Sequence, residues 1–426
     1  MLNRTTAPPI KEAIDYDLKL PAYQLLTLKN EVPVYMINAG AQDVVQIEFV
    51  FYAGNWYENQ KTAAAAANSL LKNGTSTKNA FEINEVFDNY GAFCQTACYN
   101  ETAVIQLSGL TKHIERLLPE VAALITDATY PEEELAIYKQ NSKQRLSVNL
   151  QKSDFVASRL IDACLYGESH PYGTYTNATD LDALEVDSIR NFYKQYYSHG
   201  ECVIFASGKL PANLEQLLND IFGSLSLKKP SKHLPEKIMQ PATEKKYNII
   251  NDANGVQGAI RIARPFVTRQ HPDFTKLMLL NTLFGGYFGS RLMTNIREDK
   301  GYTYGINSYV QNHIHQSAWL IATDAGKEVC EATIAEVYKE MALLQTDLVD
   351  AEELALVRNY MAGLILGSLD GPFQIMAKWK NIILNDLDEN YFYQSIKAIR
   401  ETTAEELQQL AKKYFNKEDF FEMVVY

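Results

Sequence analysis

The sequence predicts an α+β protein of two homologous domains, each an antiparallel sheet with helices packed on one face. Three observations lead to this prediction. Strand-like runs such as "PVYMIN" and "TAVIQLSGL" alternate irregularly with long helical segments. No glycine-rich nucleotide fingerprint follows any of these strands, as it does in many parallel α/β folds. The same order of elements occurs twice along the chain, which indicates a tandem duplication.

Composition narrows the class of protein. The 426 residues, 46% of them hydrophobic, are enough for about two or three domains with sizeable cores. The net charge of -12 argues against nucleic acid as a partner. The five scattered cysteines indicate no disulfide framework and predict a reducing, cytoplasmic location. The N-terminal stretch "MLNRTTAPPIKEAIDYDLKL" is interrupted by charges, so we expect neither a signal peptide nor a membrane segment.

The duplication is clearest in two pairs of segments. Residues 121–140, "VAALITDATYPEEELAIYKQ", and 341–360, "MALLQTDLVDAEELALVRNY", share an amphipathic helix, a Thr-Asp pair, an acidic turn and a second helix. Further on, Tyr196-Tyr197 corresponds to Tyr414-Phe415, each pair ending a helix that precedes an apolar strand. The repeated unit is roughly 210 residues long, within the usual range for one domain.

The repeats also define the predicted domain boundaries. The N-terminal repeat is expected over residues 1–228 and the C-terminal repeat over 247–426. Between them, residues 229–246 are rich in proline and lysine and show no hydrophobic period, which is typical of a linker.

The first half contains a recognisable succession of motifs. A strand "VQIEFVFYAGNWYEN" leads into a helix that begins near Thr62 with five consecutive alanines, in "QKTAAAAANSLLKNGT". The segments "INEVFDNYGAFCQTACYNETAVIQLSG" and "GESHPYGTYTNATDLDALEVDSIRNFYKQYY" follow. This succession resembles the pitrilysin, insulysin and mitochondrial processing peptidase superfamily, the inverse zincins, in its short two-repeat form. The resemblance covers nearly the whole chain and implies that the two domains form one half of a clamshell.

In catalytically active members of that superfamily, a helix before a Gly-Thr step carries H-x-x-E-H, whose histidines bind Zn²⁺ and whose glutamate is the general base. When Gly74-Thr75 is placed on that step, the histidine positions fall on Ala65 and Ser69 and the glutamate position on Asn68. The resemblance therefore implies a degenerate metal helix.

The remaining family ligand, a glutamate on a following helix, is also missing. Gln144 or a neighbour takes its place, since no acidic residue lies between Glu134 and Asp154. His313 and His315 are two apart on a predicted strand and share a face, but no acidic or cysteine ligand accompanies them. We expect no metal and no other cofactor in this chain.

The second half matches the superfamily in a different place. The segment "SRLMTNIREDKGYTYGINSYV" resembles the one in which an Arg and a Tyr, seven residues apart, reach the substrate near the scissile bond; here these are Arg297 and Tyr304. A guanidinium and a phenol can donate to a carbonyl oxygen or an oxyanion. From the residues alone, Arg297 is interpreted as a helix-surface partner of Glu298 or Asp299 and Tyr304 as a core strand tyrosine; the resemblance along the chain favours the substrate-contacting role instead.

A glycine-rich turn, "FGGYFG", precedes this segment. Gly285, Gly286 and Gly289 lie where related non-catalytic subunits carry a glycine-rich loop, which makes them candidates for a substrate-binding loop. The turn lacks the Lys-Ser/Thr of a phosphate loop, so we expect no nucleotide there.

The resemblance implies a function for the whole chain. It predicts the non-catalytic, substrate-binding subunit of a heterodimeric zinc endopeptidase, inactive alone, with zinc held by a homologous partner that carries H-x-x-E-H. The substrate would be a peptide. The alternative is a catalytically inert protein of the same fold, either a homodimeric peptide-binding protein or a structural scaffold.

Overall fold

The structure, a computed structural model, describes residues 11–231 and 236–426. Residues 1–10 of the predicted N-terminal domain and 232–235 of the predicted linker lie outside the described residues. The chain divides into two units. The N-terminal unit comprises Ala22–Glu244 and Gly371–Lys380, and the C-terminal unit comprises the described residues up to Pro21, Lys245–Asp370 and Asn381–Tyr426.

The N-terminal unit contains a six-stranded sheet in the order β1-β2-β6-β3-β5-β4. Its strands are β1 Gln24–Thr27, β2 Pro33–Asn38, β3 Val44–Phe51, β4 Phe93–Cys98, β5 Ala103–Leu110 and β6 Cys202–Gly208. Its helices are α1 Ala63–Ser69, α2 Ala80–Asn89, α3 Ile114–Asp127, α4 Glu132–Asn149, α5 Ser153–Tyr166, α6 Ala178–Ala183, α7 Val186–Tyr193 and α8 Leu214–Phe222.

The C-terminal unit contains a five-stranded sheet in the order β7-β11-β8-β10-β9. Its strands are β7 Lys246–Ile249, β8 Gln257–Phe266, β9 Thr303–Asn312, β10 Ser317–Gly326 and β11 Phe421–Val425. The helices of the second half are α9 Phe274–Asn281, α10 Cys330–Thr346, α11 Ala351–Gly367, α12 Pro372–Leu384, α13 Glu389–Glu401 and α14 Ala404–Tyr414. Throughout the described part of the chain, no helix combines the length and the apolar composition needed to cross a membrane.

The α+β class is confirmed, and the two sheets repeat one topology. If β1 is set aside, β2-β6-β3-β5-β4 and β7-β11-β8-β10-β9 are the same arrangement. The sheets are not purely antiparallel as expected, because β6 pairs in parallel with β2 and β11 in parallel with β7. The reason is the insertion of the last strand of each repeat between the first two. Since those two strands run in opposite directions, the inserted strand must be parallel to one of them.

Helices cover both faces of the six-stranded sheet rather than one. The main core lies between one face and helices that include α1, α2, α3, α7 and α8. On the other face, Glu48 is 6% exposed, and its carboxylate is 2.5 Å from the Lys380 ammonium of α12. The Trp379 ring contacts that of Tyr23 with centroids 4.7 Å apart. Sequence order alone assigned this part of α12 to the second domain.

The described N-terminal residues also differ from the predicted boundary. Residues 11–21 belong to the C-terminal unit instead of the domain expected over 1–228. The Arg400 guanidinium donates to the carbonyl oxygens of Ile14 and Tyr16 at 2.9 and 2.7 Å. The Ile14 amide donates to the Asn359 side chain at 3.3 Å. These hydrogen bonds fix the segment to α11 and α13.

The predicted linker ends one residue earlier than expected. Lys246 is the first residue of β7, and the preceding carbonyl of Lys245 already accepts a hydrogen bond from the Glu422 amide at 2.7 Å. Within the described part of 229–245 there is no helix or strand. The segment is nevertheless held to the N-terminal unit, since the Gln240 amide donates to the Tyr166 carbonyl oxygen at 3.0 Å.

Candidate functional site

The alanine run forms α1, a short helix in the core of the N-terminal unit. It follows Thr62, whose φ of 73° is a left-handed conformation that non-glycine residues seldom adopt. Ala65 and Ser69 are exposed, one turn apart, whereas the other four alanines are buried. The Tyr130 hydroxyl donates to the Ala67 carbonyl oxygen at 3.1 Å. Small side chains therefore let neighbouring elements approach the helix backbone closely.

Asn68, at the general-base position, points into the core. It is 3% exposed, and its amide nitrogen donates to the Tyr197 hydroxyl at 3.1 Å and to the Val104 carbonyl oxygen at 3.5 Å. Asn281 occupies the corresponding place in the second repeat, where "NTLF" matches "NSLL", and it is buried as well. The Trp319 indole donates to its side-chain oxygen at 2.7 Å. Both repeats thus use this asparagine to satisfy buried polar groups.

The residues at the metal-helix positions do not fit zinc. Ala65 offers a methyl group, Ser69 a hydroxyl and Gln144 an exposed amide, while the Asn68 amide is bonded within the core. Zinc in proteins is bound by imidazole, thiolate or carboxylate, and none of these is present. In the described ranges, no group of three or more His, Cys, Asp or Glu side chains is placed to hold a metal ion.

The two other histidines considered as ligands lie elsewhere than predicted. His313 and His315 are in the loop between β9 and β10, not on a strand. β9 ends at Asn312 and β10 begins at Ser317, so the residues between them reverse the chain. The His313 amide donates to the Gln316 carbonyl oxygen at 3.0 Å, which closes this turn.

Glu58, just before α1, is a half-buried acid that the sequence motifs did not identify. Its carboxylate accepts a hydrogen bond from the Ala64 amide at 3.1 Å. Burial raises the pKa of Glu58 to about 7, against the opposing effect of backbone hydrogen bonds from Ala64 and Thr62. Burial, and secondly the charge of Glu58, raise the pKa of the Cys98 thiol to about 12. Glu58 could have been identified from the sequence as an acidic residue shortly before the predicted start of a helix, where a carboxylate can accept hydrogen bonds from the first amides.

Arg297 and Tyr304 lie at a helix end and a strand start in the C-terminal unit. Arg297 is in the π-helical segment Met293–Asp299, and Tyr304 is the second residue of β9. The Arg297 Nε donates to the Tyr304 carbonyl oxygen at 3.1 Å, and one terminal nitrogen is 3.5 Å from the Glu298 carboxylate. The Tyr304 side chain is 93% exposed, so it is not a core tyrosine. The pair meets through the tyrosine backbone and leaves the phenol in solvent.

Phe288 completes this surface and was missed by the sequence analysis. Its ring is 64% exposed and lies under the Arg297 guanidinium, whose carbon is 4.6 Å from the ring centroid. A cation–π contact of this kind restricts the guanidinium orientation. The available signal was an aromatic residue inside the glycine-rich turn that precedes Arg297.

The glycine-rich turn is only partly a loop. Gly286 and Gly289 are exposed, whereas Gly285 is buried in the π-helical turn Thr282–Gly286. A Cβ on Gly285 would lie 2.7 Å from the Ser308 Cβ, which is too close for any side chain. Gly285 is therefore required for packing against β9. Contrary to the prediction, it is not accessible to a substrate.

A polar cleft of about 490 Å³ lies beside this turn, and its charges are largely compensated. The Arg291 guanidinium forms two 2.8 Å hydrogen bonds with the Glu353 carboxylate. The Asn295 amide donates to Glu336 and Glu340 at 2.9 and 2.7 Å. These pairs fix the helical segment that carries Arg297 against α10 and α11.

The sequence is similar to proteins of the zinc protease and processing peptidase families. Residues 183–361 match the family described as "Peptidase M16 inactive domain". The Bacillus subtilis protein named "Uncharacterized zinc protease YmxG" is 25% identical over 314 residues, 72% of this chain and 74% of that one. The rat mitochondrial-processing peptidase subunit beta is 24% identical over 377 residues, 84% of this chain and 75% of that one.

Solved structures show the same fold. The peptidase M16 inactive domain from Pseudomonas fluorescens aligns with a TM-score of 0.84 at 23% identity, over 95% of this chain and 98% of that one. A chain of complex III2 from Candida albicans aligns with a TM-score of 0.72 at 13% identity, over 94% and 95%. In sequence and in fold, this chain is therefore similar to the pitrilysin (peptidase M16) superfamily, and the family that residues 183–361 match is one described as an inactive domain.

Proposed function

We propose that this chain is the non-catalytic, substrate-binding subunit of a heterodimeric zinc endopeptidase. In this proposal Arg297 and Tyr304 act at a zinc site held by a homologous partner that carries H-x-x-E-H. The observation that carries it is the solvent-exposed Tyr304 phenol, presented beside a fixed guanidinium, in a chain whose own metal helix has no ligands. The similarity to a subunit of mitochondrial-processing peptidase supports it.

The chemistry assigned to the pair is hydrogen-bond donation. Arg297 uses Nε for the Tyr304 carbonyl oxygen, and one terminal nitrogen is 3.5 Å from the Glu298 carboxylate, so the two terminal nitrogens still carry N–H groups that can donate to a substrate. The Tyr304 hydroxyl can donate to the same acceptor, a peptide carbonyl oxygen that gains negative charge during hydrolysis. The partner's zinc would supply the activated water. The chain alone is expected to be inactive.

The cellular setting belongs to the same proposal. All five cysteines are free thiols, as is usual in a reducing compartment. We place the complex in the cytoplasm, with a peptide as its substrate.

A second candidate is an inert protein of the same fold, either a homodimeric peptide binder or a scaffold. The likeness to a complex III chain favours a scaffold. So does the exposed apolar stripe on α11, where Leu356 and Leu364 are each 57% exposed and Tyr360 lies between them. Exposed apolar stripes of this kind often mark contacts with other proteins.

The test is co-expression with a homologue from the same genome that carries H-x-x-E-H, followed by co-purification and a quenched-peptide assay. Tyr304→Phe removes only the exposed hydroxyl and is expected to lower kcat by about 100-fold, as loss of one transition-state donor does. Arg297→Ala is expected to have a similar effect. Tyr309→Phe, on the same strand and also exposed, is the matched control and should leave activity unchanged.

The outcomes separate the candidates. Full activity in both Tyr304→Phe and Arg297→Ala would refute the shared site while leaving the heterodimer intact. Failure to form any complex with the homologue, together with a homodimer in solution, would favour the second candidate.

A further inference from the structure

The two sheets differ at one edge. In the N-terminal unit, β1 pairs antiparallel with β2, with Gln24 opposite Met36 and Leu26 opposite Val34. In the C-terminal unit, β7 has the place of β2 and ends the strand order. No strand among the described residues pairs with its outer side. Such edges can accept an extended segment from another chain.

The outward backbone groups of β7 belong to two residues. The carbonyl oxygens of Lys245 and Ile249 accept amide hydrogen bonds from the β11 side at 2.7 and 2.9 Å. In a parallel pair, alternate residues of a strand bond to the same neighbour. Lys246 and Asn248 therefore direct their N–H and C=O groups outward, and both residues are exposed.

The first repeat shows what such an edge can bind. Val34 lies opposite Ile204 of β6, as Lys246 lies opposite Glu422 of β11, so Lys246 corresponds to Val34 and Asn248 to Met36. These are the two residues with which β1 pairs. The edge of β7 thus offers donors and acceptors in the register that an antiparallel strand already uses in this protein.

The side chains at this edge indicate which strand would fit. Where the first repeat has the buried Val34 and Ile204, the second has Lys246 and Glu422, 3.3 Å apart. Beside them is a cleft of about 280 Å³, lined by side chains of β7, α10 and β11 and by Lys417; its charged lining residues are Lys246 and Lys417 and the carboxylates of Glu331 and Glu422. The Lys417 ammonium lies 4.5 Å from the Tyr338 ring centroid. In the described part of the chain it has no carboxylate within ion-pair distance.

We propose that the outer edge of β7 binds an extended segment of another polypeptide, which runs antiparallel to β7 and places a carboxylate side chain opposite Lys246. The carboxylate would enter the cleft and pair with the Lys417 ammonium. A lysine on an edge strand disfavours pairing with most strands, because pairing would bury its charge without a partner. A strand that carries a carboxylate supplies that partner, so the charges select for acidic strands. This site is independent of Arg297 and Tyr304.

The probe is a fluorescein-labelled peptide with the sequence of Ala22–Lys29, which contains β1, and with Leu26→Glu. Binding to the full chain is measured by fluorescence anisotropy. A second peptide carries Leu26→Lys, and a third is the Glu peptide N-methylated at positions 24 and 26, the residues whose N–H groups face β2 in the protein. We expect each change to weaken binding by about tenfold or more.

Two protein variants test the same edge. Asn248→Pro removes the outward N–H but no hydrogen bond to β11, so it should weaken binding by about tenfold while the circular dichroism spectrum is unchanged. Lys417→Gln should weaken binding of the peptide with glutamate at position 26 and should leave binding of a peptide with glutamine at that position unchanged. Hydrogen exchange should show peptide-dependent protection at the Lys246 and Asn248 amides.

Several results would overturn the proposal. These are equal binding of the N-methylated peptide, wild-type affinity in Asn248→Pro, protection that maps to β4 or β9 instead of β7, and no binding of the Glu peptide at millimolar concentration.

Discussion

Glu58 gives the most quantitative prediction, because its carboxyl group has a higher pKa in the folded chain than in the unfolded chain. Burial raises its pKa from 4.5 to about 7. Between these two values the folded state holds a proton that the unfolded state has lost, so stability decreases as the pH rises through this window and is constant above it. At about 1.4 kcal/mol per pKa unit, the effect reaches at most about 3 kcal/mol.

Glu58→Gln removes this titration and keeps a side-chain oxygen that can accept from the Ala64 amide. The variant is therefore expected to match the wild type near pH 4.5 and to be more stable above pH 7, by up to about 3 kcal/mol. Urea denaturation at several pH values, followed by hydrogen exchange of the α1 amides, measures the difference. Glu85→Gln, at an exposed position on α2, is the matched control.

Two results would contradict the reasoning about Glu58. A difference between Glu58→Gln and wild type that does not change with pH would show that the carboxyl is not perturbed. A variant that becomes less stable than wild type above neutral pH would show that the carboxylate is stabilised in the folded state, which is the opposite sign.

Three further predictions concern the metal helix and the glycine-rich turn. Gly285→Ala should lower stability by about 1–3 kcal/mol through overpacking, measured as a lower Tm, whereas Gly305→Ala, with open space around it, should not. Asn68→Ala should cost about 1–3 kcal/mol in urea denaturation because it leaves a buried hydroxyl unsatisfied; a neutral effect would exclude the structural role. Ala65→His with Ser69→His should bind zinc measurably by calorimetry, since both positions are exposed on one helix face, yet restore no hydrolysis.

The repeated architecture could be predicted from the sequence because its signals are local. The acidic turns before α4 and α11 mark the same helix start in both halves, and the structure begins these helices at Glu132 and Ala351. The parallel pairing of β6 with β2 and of β11 with β7 could not be predicted, because it depends on where the last strand of each repeat inserts after most of that repeat has been traversed. Periodicity indicates which face of a strand is buried, but not its neighbour.

Residue spacing selected the candidate site residues but could not predict the direction of their side chains. Motif alignment placed Asn68 beside Ala65 and Ser69, yet Asn68 turns into the core while the other two face solvent. Tyr304, an aromatic residue on a strand that the sequence alone assigns to the core, is almost fully exposed. The direction of the Asn68 side chain depends on a contact with an element distant in sequence, that of Tyr197, which residue spacing in a single sequence does not contain.

The short stretch Gly371–Lys380 has a practical consequence for anyone who divides this protein. A fragment that ends at the linker would contain Glu48 but lose Lys380, its ammonium partner, and would lose the Trp379 ring that contacts Tyr23. The complementary fragment would carry a helix with nothing to pack against. We expect the halves to be insoluble when expressed separately and to be recovered together when co-expressed. The two repeats of the sequence would then depend on each other for folding.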